Sequence, residues 1–177
     1  MQPVAASTTL QVPVLETERL LLRAPRAEDW DAVRVFGVSQ RSEFIGGPFE
    51  EWQVWTSLLA QMGHWSARGY GMWAVEHKAS GRTAGRVGVI NHIDWPEPEL
   101  GWHVYEGFEG KGIAFEAAEA ARDHAQNHMG LGPLISQIHP DNTRSRRLAE
   151  RLGAVREGEG EVRGTPCLIY RHRRVSA

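Results

Sequence analysis

The sequence predicts a single α/β (α+β) domain, a mixed sheet carrying helices. Three observations lead there. Short apolar runs and longer amphipathic runs alternate in the order β-α-α-β-β-β-α-β-α-β-β. Two of the strands are joined by the short turn Ala79-Ser80-Gly81, the signature of an antiparallel hairpin. The stretch Trp102–Glu116, WHVYEGFEGKGIAFE, reads as a strand that passes through a glycine-rich turn straight into a helix.

Composition sets the bounds. A chain of 177 residues suits one domain and can bury roughly 70% of its unfolded surface. The expected division is a loose N-terminus over residues 1–13 and a domain over 14–175. A net charge of −2 gives no electrostatic reason to expect a nucleic-acid partner. The lone Cys167 excludes an internal disulfide framework and fits a reducing cytoplasm, the expected location. No apolar run approaches the ~20 residues of a membrane span, and Met1–Thr9 has no basic segment leading into a long apolar one, so no membrane role is expected.

Taken in order, Leu20–Leu22 form a strand ending at Arg23, and Pro25 stops it. Ala27–Val38 reads as a helix with Glu28 and Asp29 in its first turn, where acidic groups favour the helix dipole. Gln40–Pro48 is a loop. Glu50–Ala67 reads as a helix whose stripe Trp52, Trp55, Leu58, Leu59, Met62 and Trp65 is expected mainly in the core. Tyr70–His77 and Gly85–Ile90 are the hairpin strands, followed by the strand Glu99–Tyr105. In the helix Ile113–Met129, Ala114, Ala117, Ala118, Ala121, Ala125 and Met129 recur at helical spacing, with Glu116, Glu119, Asp123 and Gln126 opposite. Leu131-Gly132-Pro133 breaks the chain before the strand Leu134–Ile138. Asn142–Leu152 is a basic helix closed by Gly153. Val155–Val162 and Cys167–His172 are the last strands.

The glycine turn carries the chemistry. A helix that opens from Gly107, Gly110 and Gly112 offers free backbone N–H groups and the positive end of its dipole, an anion site suited to a phosphate. A P-loop would need Ser or Thr after the lysine, and Lys111 is followed by Gly112. A dinucleotide fingerprint needs G-x-G-x-x-G, which this spacing does not supply. A glycine turn that only caps a helix is the plain alternative.

The run EGKGIA resembles the pyrophosphate loop of the GNAT superfamily of N-acetyltransferases, Gln/Arg-x-x-Gly-x-Gly/Ala: Gly112 and Ala114 match, while Glu109 stands where Gln or Arg is usual. FEGKGIAFEA, the opening TERLLLR and the run HPDNTRSRRLAERLGA are similar to its RimJ/RimL-like branch, and the element order agrees along essentially the whole chain. The resemblance implies a single-domain GNAT fold, with a mostly antiparallel sheet of about seven strands and helices on both faces. It implies acetyl transfer from acetyl-CoA to a primary amine, either a protein N-terminus or a small-molecule amine, by direct attack. A noncatalytic acyl-CoA-binding or sensing module on the same fold is the alternative, and a nucleotide-binding interaction domain a weaker one. A homodimer is left open.

By the same resemblance, the pyrophosphate sits on the amides of Glu109, Gly110, Lys111, Gly112, Ile113 and Ala114. The backbone of Trp102, His103 and Val104 lines the acyl arm, where the family often has a bulge that splays two parallel strands. Asn142 bonds the pantetheine, Arg147 reaches a CoA phosphate, and Ser145 protonates the leaving sulfur, with Tyr170 as the alternative donor. Asn142 is also readable as a plain helix N-cap. Alternation along ELGWHVY puts Glu99, Gly101 and His103 on one face and apolar Leu100, Trp102 and Val104 on the other, making Glu99 the candidate base, with Glu97 and His103 as rivals. His124 and His128 share a helix face but lack the H-E-x-x-H pattern, so no metal is expected. No G-x-S-x-G elbow supports a hydrolase.

Overall fold

The structure, a computed structural model, describes residues 11–174. Its strands are β1 (Leu15–Glu16), β2 (Leu20–Arg23), β3 (Met72–His77), β4 (Arg82–Ile90), β5 (Glu99–Val104), β6 (Ile135–Ile138), β7 (Val155–Val162) and β8 (Thr165–Arg171). They form one sheet in the order β1-β2-β3-β4-β5-β6-β8-β7. All neighbours are antiparallel except β5 and β6. The helices are α1 (Trp30–Gly37), α2 (Glu51–Arg68), α3 (Ile113–His128) and α4 (Thr143–Arg151), with 3₁₀ turns at Ala27–Asp29 and Gln40–Ile45.

The expected mixed sheet is present with one strand more than the seven anticipated. The addition, β1, is two residues pairing with the edge of β2, too short to carry a periodicity. Of the expected loose N-terminus, residues 1–10 lie outside the described residues, as does residue 175. Residues 12 and 13 lie against the core: Val12 packs on it, and the Pro13 carbonyl accepts the Trp73 indole N–H at 2.7 Å. Strand β8 begins two residues earlier than expected because Arg163 and Gly164, at φ +48° and +83°, close a two-residue hairpin turn from β7.

Alternation along the strands divides the core. Leu20, Leu22, Trp73, Val75, Val87, Val89 and Leu100 face the alanine stripe of α3, which buries Ala117, Ala118, Ala121 and Ala125 as its spacing predicts. Helix α4 packs on β6 beside α3. On the opposite face α1 and α2 bury Val33, Phe36, Val54 and Leu58 around Tyr105. Helix α2 corrects the expected stripe: Leu58 and Trp65 are buried, but Trp52, Trp55, Leu59 and Met62 are exposed. The helix presents one narrow face to the protein, through Val54, Leu58 and Trp65, and of the neighbouring apolar row Trp55 meets Trp30 edge to face, ring centroids 5.3 Å apart, while the row stays open to solvent.

Local signals end the helices near where the site needs them. Glu50 and Gln53 form a capping box at the start of α2, and Gly69 terminates it in the left-handed conformation. At the end of α4 the amides of Gly153 and Ala154 bond back to the carbonyls of Glu150 and Ala149, a Schellman closure that turns the chain into β7.

Candidate active site

The site forms where the one parallel pair among the described residues comes apart. Strands β5 and β6 share one paired position, Glu99 with Ile135, where the Ile135 amide reaches the Pro98 carbonyl at 3.3 Å. The next rung of a parallel ladder would join the Gln137 amide to the Leu100 carbonyl. Side chains take both groups instead: Gln137 N–H donates to Glu99 Oε1 at 3.0 Å, and Ser136 Oγ donates to the Leu100 carbonyl at 2.6 Å. Two side chains inserted in the ladder hold the strands apart. The expected bulge is absent from β5, whose register with β4 runs unbroken from Glu99 to Val104; the wedge does the splaying.

Beyond the wedge, Gly101–Val104 are half-exposed. The odd residues of β5 bond toward β4, as the Tyr105 amide to the Ala84 carbonyl continues at 2.8 Å. The backbone groups of Trp102 and Val104 therefore point into the gap. Arg41 Nη2 donates to the Val104 carbonyl at 3.0 Å, and its guanidinium also pairs with Glu109. That ion pair ties the glycine turn to the end of β5, a use of Glu109 unrelated to the missing Gln or Arg.

The turn itself is built around positive φ. Gly107, Gly110 and Gly112 sit at +88°, +69° and +78°, and Gly112 is the residue from which α3 starts, with no side chain capping its first amides. Lys111 folds back so that its ammonium donates to the Gly107 carbonyl at 2.6 Å, and Arg19 Nη1 donates to the Lys111 carbonyl at 2.8 Å. Arg19 also pairs with Glu116 in the first turn of α3 at 2.7 Å. The uncapped amides from Lys111 to Ala114 thus lie on a loop braced from β2.

Across the gap, Asn142 caps α4 by accepting the Ser145 amide at 3.1 Å on Oδ1, which leaves its NH₂ uncommitted to the cap. Ser145 Oγ accepts the Trp102 indole N–H at 3.2 Å. An indole only donates, so the serine keeps its own proton for another acceptor. The structure therefore brings Ser145 to β5. It gives Tyr170 a different setting: the ring is buried, and its hydroxyl lies 3.3 Å from Arg146 Nε and 3.3 Å from Glu150 Oε1, both on α4. Arg147 is exposed on the same helix.

Glu99 is buried, with Oε2 taking the Trp95 indole N–H at 2.5 Å and the Gln137 amide side chain at 3.1 Å. Burial lifts its pKa above the ordinary carboxylate value, against the opposing effect of its three N–H donors. Its rivals are placed differently. Glu97 forms a two-pronged pair with Arg171 at 2.5 and 2.9 Å, and those bonds hold it below the usual range. His103 lies under Phe36, ring centroids 5.3 Å apart, and its Nδ1 accepts Arg86 Nε–H at 2.5 Å. Burial, and then the Arg86 charge, keep its pKa far below the usual histidine value. Periodicity and motif spacing could not reveal Ser136, Gln137, Trp95, Arg41 or Arg86, because their parts depend on partners far away in the chain.

The chain's residues 19–155 match the family model described as an acetyltransferase (GNAT) domain. The acetyltransferase of Agrobacterium tumefaciens superposes with a TM-score of 0.85 at 35% identity, covering 92% of this chain and 95% of that one. The uncharacterized N-acetyltransferase YnaD of Bacillus subtilis is 26% identical over 146 residues, 81% of this chain and 84% of its own length. The fold extends to RimL, the ribosomal L7/L12 α-N-protein acetyltransferase, in a complex with coenzyme A (TM-score 0.72, 18% identity, 89% and 96% covered). This chain belongs to the GNAT family of acetyltransferases. Acetyl-CoA is the acetyl donor that membership in the family implies. The fit is good on the chain's own terms, with an opened strand edge for an amide-bearing arm and uncapped helix amides for a pyrophosphate.

Proposed function

We propose that the protein moves the acetyl group of acetyl-CoA onto a primary amine by direct attack, without a covalent acetyl-enzyme. The observation that carries this reading is the wedge at Glu99, which sets a buried carboxylate of raised pKa beside the opened edge of β5. The backbone of Trp102 and Val104 holds the acyl arm, the amides from Glu109 to Ala114 hold the pyrophosphate, Asn142 bonds the pantetheine, and Arg147 meets a phosphate. Glu99 takes the proton from the attacking amine through a water molecule. An N–H on the β5 edge stabilises the charge that develops on the thioester oxygen. The C–N bond forms, the C–S bond breaks, and Ser145 gives its proton to the departing sulfur while taking one back from solvent, the amine's proton leaving through Glu99. The acceptor class includes the protein N-termini that RimL's name assigns to that protein.

General-base help is typically worth ~10²–10⁴-fold, so Glu99→Gln lowers kcat/KM by at least the lower figure near neutral pH. The loss shrinks at high pH, where the amine is already free of its proton. A deficit that stays constant from neutral to alkaline pH would identify Glu99 as a brace of the wedge alone. A variant within threefold of wild type would remove it from the mechanism.

A further inference from the structure

Arg86 is a cation without a counterion. It lies on β4 opposite His103, on the face of the sheet that also carries Glu99. Its Nε donates to His103 Nδ1, its Nη1 is sealed from solvent with no hydrogen-bond partner, and no carboxylate pairs with it among the described residues. The other arginines that bond to strand or helix ends on this face have acids: Arg23 meets Asp29 at 2.8 Å and Glu76 at 2.8 Å, and Arg41 meets Glu109. A guanidinium nitrogen sealed from water and left unbonded is costly, and is retained where something else supplies a partner. Burial pushes its own pKa down, against the opposing effect of the Tyr105 phenol. His103, pinned under Phe36, fixes the orientation of the guanidinium by accepting Nε–H. Nη1 is closed off from solvent, so Nη2, which has no hydrogen-bond partner among the described residues, is the nitrogen left for an anion. The Trp102 edge, where the acetyl group is transferred in the reading above, is the chain neighbour of His103.

We infer that Arg86 binds a carboxylate of the acceptor, so that the preferred substrate is a primary amine carrying a carboxylate a few bonds away. The inference rests on the acetyltransferase reading for its amine but not for its anion. Polyamines and aminoglycosides, which bring only positive charge to an unpaired cation, are disfavoured. A free amino acid and a peptide N-terminus followed by an acidic side chain offer the same chemistry.

The test compares free amino acids with their carboxamides, and peptides beginning Ser-Asp with peptides beginning Ser-Asn, in wild type, Arg86→Gln and Arg86→Lys. A hydrogen-bonded charge is worth about 1.5–3 kcal/mol, so wild type prefers the carboxylate member by about ten- to a hundredfold in kcat/KM. The pair with the larger preference identifies the source. Arg86→Gln erases the preference by raising KM for the acid while leaving the amide and the acetyl-CoA affinity unchanged. Arg86→Lys restores only part of it, because the shorter side chain does not carry its charge to the position of Nη2. Thermal melts with CoA and the N-acetylated acid give a readout independent of turnover: the acid product stabilises wild type and not Arg86→Gln. Without ligand, Arg86→Gln melts no lower than wild type, because it removes an uncompensated charge; a large loss of stability would reveal a structural role. Equal turnover and equal melting shifts for acids and amides in wild type would overturn the inference. No response to acetyl-CoA at all would instead overturn the acetyltransferase reading, leaving the carboxylate shift standing.

Discussion

Ser145 and Tyr170 show how much a side chain's partner decides. Both were readable in the sequence as proton donors for the leaving sulfur, and neither assignment could be separated from the other by motif. Ser145 receives the Trp102 indole and keeps its own proton, while Tyr170 spends its hydroxyl on Arg146 and Glu150 beneath α4. Ser145→Ala is therefore expected to lower kcat by about a hundredfold, the lower end of general-acid effects, with acetyl-CoA affinity unchanged. Tyr170→Phe is expected to keep kcat within threefold and to cost stability instead, since it removes a buried hydroxyl that Arg146 and Glu150 use. Steady-state kinetics beside calorimetric affinities decide between them; a silent Ser145→Ala would mean that solvent protonates the sulfur. Glu99 was legible as a base candidate from alternation and from the family resemblance. Its second task, accepting the Gln137 amide across the parting strands, was not, because the partner lies 38 positions away. Arg86 left no trace in the sequence at all: an arginine in an apolar strand looks the same whether or not an acid meets it.

At the scale of elements, the turn before α3 was the most legible part of the chain. Three glycines before an alanine-striped helix fix both the backbone and the buried face, and both are present. The splaying of β5 from β6 was anticipated, but through a bulge; the register shows a side-chain wedge, which no periodicity encodes. Helix α2 was placed to within a residue at each end, yet four of the six residues of its stripe proved to be exposed, since periodicity gives a face but not what covers it. Gly112→Val tests the turn. Its φ of +78° costs a branched residue about 1–2 kcal/mol, and the added carbon would meet only the movable end of Arg19 at 3.3 Å. The variant is expected to fold and to lose its response to acetyl-CoA. Wild type should gain ~2.7 kcal/mol at a hundredfold excess of ligand over Kd. A folded variant with wild-type affinity would remove the pyrophosphate from this turn.

For the whole molecule, the glycine-turn motif and its companion runs, with the order of strands and helices, pointed to the family, and the family match over residues 19–155 agrees. The division of labour follows from the topology. The single parallel junction in an otherwise antiparallel sheet leaves a strand edge open in the middle of the protein, with α3 and α4 on one side and α1 and α2 on the other. In the proposed reading, donor binding falls to the turn and α4, and acceptor chemistry to the face of Glu99 and Arg86. Among the described residues no helix is long and apolar enough to cross a membrane. The most direct measurement is thiol release from acetyl-CoA, followed together with the mass of the acceptor over a panel of amino acids, peptides and polyamines. The account predicts one thiol released for each N-acetylated amine formed, with no acetylated protein accumulating. Binding of acetyl-CoA with no thiol released by any amine would contradict it.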